Sequence, residues 1–133
     1  MSSTAIPALR YRDAKRAVTF LQEAFGFVPN MVVEGEGDVI EHAQMSHGTG
    51  MIMFGSDRDG DCGDHVSADG KAGGGIYVVI SSDVDEHMEQ ARSAGATVVM
   101  EPRDEDYGGR DYSCTDFEGN VWTFGSYDPW AES

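Results

Sequence analysis

Four histidines, two cysteines and a run of aspartates are the side chains of this 133-residue sequence that could carry metal or nucleophilic chemistry. Zinc and its relatives need His, Cys or carboxylate donors brought to one point. His42 and His47 are five apart in an alternating segment, so they point to opposite faces of a strand. His65 falls in a Gly/Asp-rich stretch and His87 in a helical one, so no pair has ligand spacing. Asp57-Arg58-Asp59-Gly60-Asp61 suggests a calcium loop, but position six would be Cys62 rather than Gly and position twelve Ala68 rather than Glu. It reads as a solvated charge run. Cys62 and Cys114 stand in unlike surroundings and form no disulfide framework, so free thiols in a reducing cytosol are expected. No G-x-S-x-G elbow is present and no base is identifiable beside Cys114. His42 could act as a general base only if its pKa lies near neutrality.

Charge narrows the partners. The net charge is −15, with 24 acidic residues against nine Lys and Arg, and the only lysines are Lys15 and Lys71. Nucleic acid is excluded as a partner because phosphates need Lys and Arg to neutralise them. An anionic membrane surface is excluded on the same ground. The charge suits an ordinary acidic soluble protein, or one from a high-salt cytoplasm. No apolar run approaches the ~20 residues that span a bilayer. The start, M-S-S-T-A-I-P, lacks the regions of a signal peptide, so a cytoplasmic location is expected.

The elements that would position these residues follow from period and punctuation. Ile6–Arg12 reads as a short strand. Asp13 is a helix N-cap, followed by Ala14, Ala17, Val18, Leu21 and Phe25 at helical spacing and closed by Gly26. Strands are predicted over Phe27–Glu34, Val39–Ser46 and Gly50–Gly55. The Gly- and Asp-rich stretch 57–74 holds almost no large apolar group and is predicted to be a mobile linker. The order then repeats: a strand at Gly75–Ser81, a helix capped by Asp83 with Glu86 completing a capping box and Gly95 ending it, and strands at Thr97–Glu101, Arg110–Thr115 and Val121–Tyr127. Trp130, in the tail D-P-W-A-E-S, is expected to pack on a surface. Gly26 aligns with Gly95 at an offset of 69, and Phe54-Gly55 with Phe124-Gly125 at an offset of 70. The predicted fold is therefore α+β, one domain of two tandem β-α-β-β-β modules over about 5–56 and 75–128.

Three segments, in this order, resemble the vicinal oxygen chelate superfamily of glyoxalases, bleomycin-resistance proteins and dioxygenases. They are Y-R-D-A-K-R-A-V-T-F-L-Q-E-A-F-G-F at 11–27, Y-V-V-I-S-S-D-V-D-E-H-M-E-Q-A-R-S-A-G-A at 77–96 and D-Y-G-G-R-D-Y-S-C-T-D-F-E-G-N-V-W-T-F-G at 106–125. Phe117 departs from the Pro common in the family's D-P-x-G-N turn. The resemblance implies curved mixed sheets around a cavity, and a homodimer. It also implies that metal-bearing members take four ligands, one from the first and one from the last strand of each module. Carried onto this sequence, those positions fall at about Ile6 and about Gly75 on the first strands and at Met53 and Thr123 on the last. None suits a divalent cation, so no metal and no other cofactor is expected.

Alternation then sorts the strands. Ile52, Phe54, Trp122 and Phe124 are predicted to lie under the helices. The opposite face, lining the cavity that the resemblance implies, is predicted to carry Arg10, His42, Gln44, Met51, Met53, Tyr77 and Thr123. Tyr112 and Cys114 join them as the repeat partners of His42 and Gln44, with Tyr107 and Arg110 at the rim. Tyr77 and Tyr112 either stack on a planar ligand or belong to the core or a subunit interface. Apolar walls with a few hydrogen-bonding groups suit a small organic ligand. The function expected is metal-independent binding of such a molecule, as in sequestration of an antibiotic or metabolite. The alternatives are a lyase, isomerase or dioxygenase with a displaced metal site, and an interaction module with a vestigial cavity.

Overall fold

In the computed structural model, residues 4–57 and 75–131 are described, and the chain divides into two compact units, Met1–Val66 and Ser67–Ser133. The first unit runs β1 (Ala8–Tyr11), α1 (Ala14–Phe25), β2 (Val28–Glu34), β3 (Ile40–His47) and β4 (Gly50–Ser56). The second repeats the order with β5 (Gly75–Val79), α2 (Val84–Ser93), β6 (Thr97–Asp104), β7 (Arg110–Thr115) and β8 (Val121–Gly125). Each unit forms one four-stranded sheet, in the order β1-β4-β3-β2 and β5-β8-β7-β6. The first strand of each lies parallel to the last, and the other pairs are antiparallel. This is the tandem β-α-β-β-β fold expected from the sequence.

Local chemistry starts and stops the helices. Asp13 accepts the Arg16 N–H at 3.1 Å and Asp83 accepts the Glu86 N–H at 3.0 Å, each satisfying an orphan donor of the first turn. Gly26, at φ +83°, closes α1 in the left-handed region, and Phe27 N–H reaches back to the Leu21 carbonyl at 3.0 Å. α1 buries Ala14, Ala17, Phe20, Leu21, Ala24 and Phe25 along one stripe, and α2 buries Val84, Met88 and Ala91. In the strands Ile52, Phe54, Trp122 and Phe124 are all buried, as their alternation predicts.

Strand ends differ from the sequence reading where pairing, not composition, sets them. β6 runs on to Asp104 because Arg103 and Asp104 continue to pair with Asp111 and Arg110 beyond a bulge. Ile6 and Pro7 fall outside β1, and Ser126 and Tyr127 outside β8, although Ser126 N–H still bonds the Arg110 carbonyl at 3.0 Å. Trp130 does not pack: it is 85% exposed, and its N–H only closes a turn on the Asp128 carboxylate. The predicted linker, with Cys62, His65 and most of the calcium-like run, lies outside the described residues. No helix among the described residues is long and apolar enough to cross a membrane.

Candidate ligand-binding faces of the two sheets

Each sheet turns one face to its helix and leaves the other open. In the first unit, register places Ala8, Met53, Gln44 and Met31 in one cross-strand row of the open face. His42 Nε2 donates to Gln44 Oε1 at 2.9 Å, and the Gln44 amide leans on Met51 Sδ at 3.9 Å. Arg10 is also on this face, with Nη1 3.5 Å from the Ser56 carbonyl. The result is a thioether-rich surface with one short polar chain across it.

The second unit places Tyr77, Thr123, Ser113 and Met100 in the matching row, and Val79, Gly125, Asp111 and Arg103 in the next. Thr123 and Ser113 share a 2.7 Å hydrogen bond. Glycine at 125 leaves room that the Tyr77 phenol fills; a Cβ there would lie 2.5 Å from Tyr77 Oη and 2.8 Å from Asp111 Cβ. The Tyr77 hydroxyl donates to the Tyr127 carbonyl at 2.8 Å. Burial, and next the charge of Asp111, push its pKa up to about 12. Tyr107 donates to Asp111 Oδ2 at 3.2 Å and meets the Tyr127 ring edge-on, centroids 5.1 Å apart.

Asp111 is the most constrained polar residue of this face. It is 4% exposed, and its Oδ1 is buried with no hydrogen-bond donor among the described residues. Burial first, then a hydrogen bond to Glu105, hold its pKa above the usual carboxylate range. Glu105 moves the opposite way, lowered first by the hydrogen bond from Asp111 and then by Arg103. Two carboxylates bond each other only through a proton, and burial makes Asp111 rather than Glu105 the side that favours it.

Three predicted site residues change place. Tyr112 and Cys114 are both fully buried on the helix-covered face. Tyr112 shares a 2.6 Å hydrogen bond with His87 Nδ1 of α2 and stacks on Phe124 at 5.6 Å. Arg110 is committed to the helix rather than the rim, with Nε and Nη2 on the two Asp85 oxygens at 3.0 Å and Nη1 3.4 Å from Asp104. The true counterpart of Gln44 is Ser113, because Gln44 pairs with Met53 as Ser113 pairs with Thr123. The offset there is 69, the value that the helix-ending glycines carry, not the 70 of the last strands. Applying it would have found Asp111 and Ser113, which sequence reasoning missed along with Glu105 and Tyr127. Burial also pushes the Cys114 thiol up to about 12. Peptide mapping after a thiol reagent at pH 8 is expected to leave Cys114 unlabelled in folded protein and labelled in urea. Labelling of the native protein would contradict its burial.

Residues 4–124 match the family model described as Glyoxalase/Bleomycin resistance protein/Dioxygenase superfamily. The chain belongs to this superfamily. TioX from Micromonospora sp. ML1 is 31% identical, with a TM-score of 0.72 over 98% of this chain and 100% of TioX. The fosfomycin resistance protein FosX from Listeria monocytogenes shares the fold at 18% identity and TM-score 0.70, over 97% of this chain and 96% of its own. UcmS2 does so at 16% identity and TM-score 0.70, over 96% of this chain and 99% of its own. No curated protein matches the chain.

Membership makes the superfamily's metal positions a question of donor chemistry. Met53 and Thr123 are on the open faces, but Met53 offers a soft thioether and the Thr123 hydroxyl is engaged by Ser113. Ile6, just outside β1, offers hydrocarbon and Gly75 has no side chain; register sets Ala8 beside Met53 and Tyr77 beside Thr123. Ile6, Met53, Gly75 and Thr123 do not fit a divalent cation. Among the described residues no three His, Cys, Asp or Glu side chains gather where one could sit.

Proposed function

We propose that this superfamily member binds a small organic molecule on the open faces of its sheets without a metal ion, as a sequestering or carrier protein. The observation that carries the reading is the donor set. The four positions that would hold a metal carry Ile6, Met53, Gly75 and Thr123, while the same faces keep the adaptable groups that recognise organic ligands. Met31, Met51 and Met53 supply a polarisable apolar surface that repacks around different shapes. Arg10, His42, Gln44, Tyr77, Tyr107 and the Ser113–Thr123 pair supply polar anchors beside it. The −15 charge favours a cationic ligand, since a field of one sign concentrates the other. The protein acts as a cytoplasmic homodimer.

Calorimetric screening against cationic and aromatic compounds, with elemental analysis of the same preparation, tests this. Saturable binding by protein that carries only traces of Mn, Fe, Ni or Zn is expected. A stoichiometric metal would support the second reading, a lyase, isomerase or dioxygenase with a displaced metal site. That reading draws on FosX, which has been solved with manganese(II). No saturable binding by any compound would leave an interaction module.

A further inference from the structure

Two carboxylates and one guanidinium meet on the open face of the second sheet. Arg103 stands opposite Asp111 in the β6–β7 register, and its Nε donates to Glu105 Oε2 at 3.2 Å. The remaining groups facing Asp111 are the phenols of Tyr107, on the β6–β7 connection, and Tyr77, on β5, with Tyr127 just beyond β8. Arg110, the neighbour in sequence, is spent on Asp85 and Asp104. The cluster is therefore one positive charge short. Without a ligand, only a proton taken up by the Asp111–Glu105 pair can make up the deficit. Asp111 Oδ1, buried and without a donor, marks where that charge is needed.

We propose that the Asp111–Glu105 pair, flanked by Tyr77, Tyr107 and Tyr127, is a subsite for the protonated amine or guanidinium of an organic cation, which takes the place of the shared proton. The inference rests on the small-molecule-binding reading and names the ligand class for the second sheet. A cation delivers N–H donors to Asp111 Oδ1 and to Glu105, the charge-assisted bonds that the orphan oxygen lacks. The tyrosine rings present π faces or edges beside it, and a cation prefers the faces. Tyr107 is the entry point. It is 59% exposed, and the turn that carries it continues into Gly108 and Gly109 at positive φ, so its hydroxyl leaves Oδ2 without disturbing the core. The balance is simple exchange: the ammonium keeps its protons, Asp111 loses one to solvent, and no bond other than that O–H breaks. Affinity must therefore rise with pH until Asp111 is ionised without help.

Benzylamine and its neutral analogue benzyl alcohol, titrated into isotopically labelled full-length protein at pH 5 and pH 8, separate the possibilities. Benzylamine is expected to shift the Asp111 and Gly125 amides saturably, and to bind severalfold more tightly at pH 8 than at pH 5. Asp111→Asn, nearly isosteric, should lose most of that affinity and all of its pH dependence. Glu105→Gln should weaken binding and keep the fold, as unshifted amides elsewhere would show. The subsite is overturned if benzylamine does not saturate, if benzyl alcohol binds as well, or if Asp111→Asn binds benzylamine like the parent. Saturable binding of the alcohol alone would remove the cation subsite and leave the binding function standing. Failure of both probes and of the wider calorimetric screen would remove both.

Discussion

Replacing Asp116 with Ala is expected to lower the unfolding free energy by about 3 kcal/mol, read from urea denaturation at neutral pH. The carboxylate is buried at the centre of the D-F-E-G-N turn. Its Oδ1 accepts the backbone N–H groups of Glu118 and Asn120, both at 3.0 Å. Oδ2 accepts the Trp122 indole N–H at 3.1 Å and the Asn120 side-chain amide at 3.1 Å. Removing the acceptor leaves the indole N–H, on a fully buried ring, without this partner, and loosens the turn that sets the β7–β8 register. Asp116→Asn should fall between, since its oxygen still serves the backbone while its NH2 opposes two donors. A double-mutant cycle with Trp122→Phe isolates the indole bond, for which a coupling of about 1–2 kcal/mol is expected. A loss below ~1 kcal/mol in Asp116→Ala would reduce the motif to a loop without a structural hub.

Phe124→Ala is expected to cost about 4 kcal/mol, while Thr123→Ala, one residue away, should cost under ~1 kcal/mol. Phe124 is fully buried on the helix side of β8. It stacks on Trp122 with centroids 6.1 Å apart and planes within 7°, on Tyr112 at 5.6 Å, and lies against His87 at 4.5 Å. Truncation opens a cavity among large, rigid rings that cannot collapse into it. Thr123 faces the open side and trades one hydroxyl contact with Ser113 for water. Equal losses at the two positions would mean that the face assignment of β8 is wrong. The contrast also matters for function. The open face can change its chemistry, including loss of metal donors, at little cost in stability.

The candidate site was legible only in part. His42, Gln44, Met53, Tyr77 and Thr123 were assigned to the open faces from alternation, and register puts Gln44, Met53, Tyr77 and Thr123 in two matching rows. Tyr112 and Cys114 were placed one residue out of step, and in a strand one residue exchanges the two faces. The slip has a local source. Ser46 pairs with Met51 across the first turn, but Thr115 pairs with Val121 across the second, which is longer by one residue. That extra residue sits within the segment that identifies the family. Arg110 was misplaced for another reason: its partners Asp85 and Asp104 come from α2 and β6, and no spacing within β7 announces them.

By itself the sequence determined the parts of this protein that depend on neighbours along the chain. The caps at Asp13 and Asp83, the stop at Gly26 and the buried alternation of Ile52, Phe54, Trp122 and Phe124 all follow from local period and side-chain type. The tertiary structure alone decided which strands pair in which register, and therefore that Asp111 rather than Tyr112 stands on the open face. It alone brought Glu105, Arg103 and three tyrosines around that buried carboxyl. Charge and burial act through space, and a carboxylate in the sequence does not say whether its nearest neighbour in the fold will be a guanidinium, water or a second carboxylate.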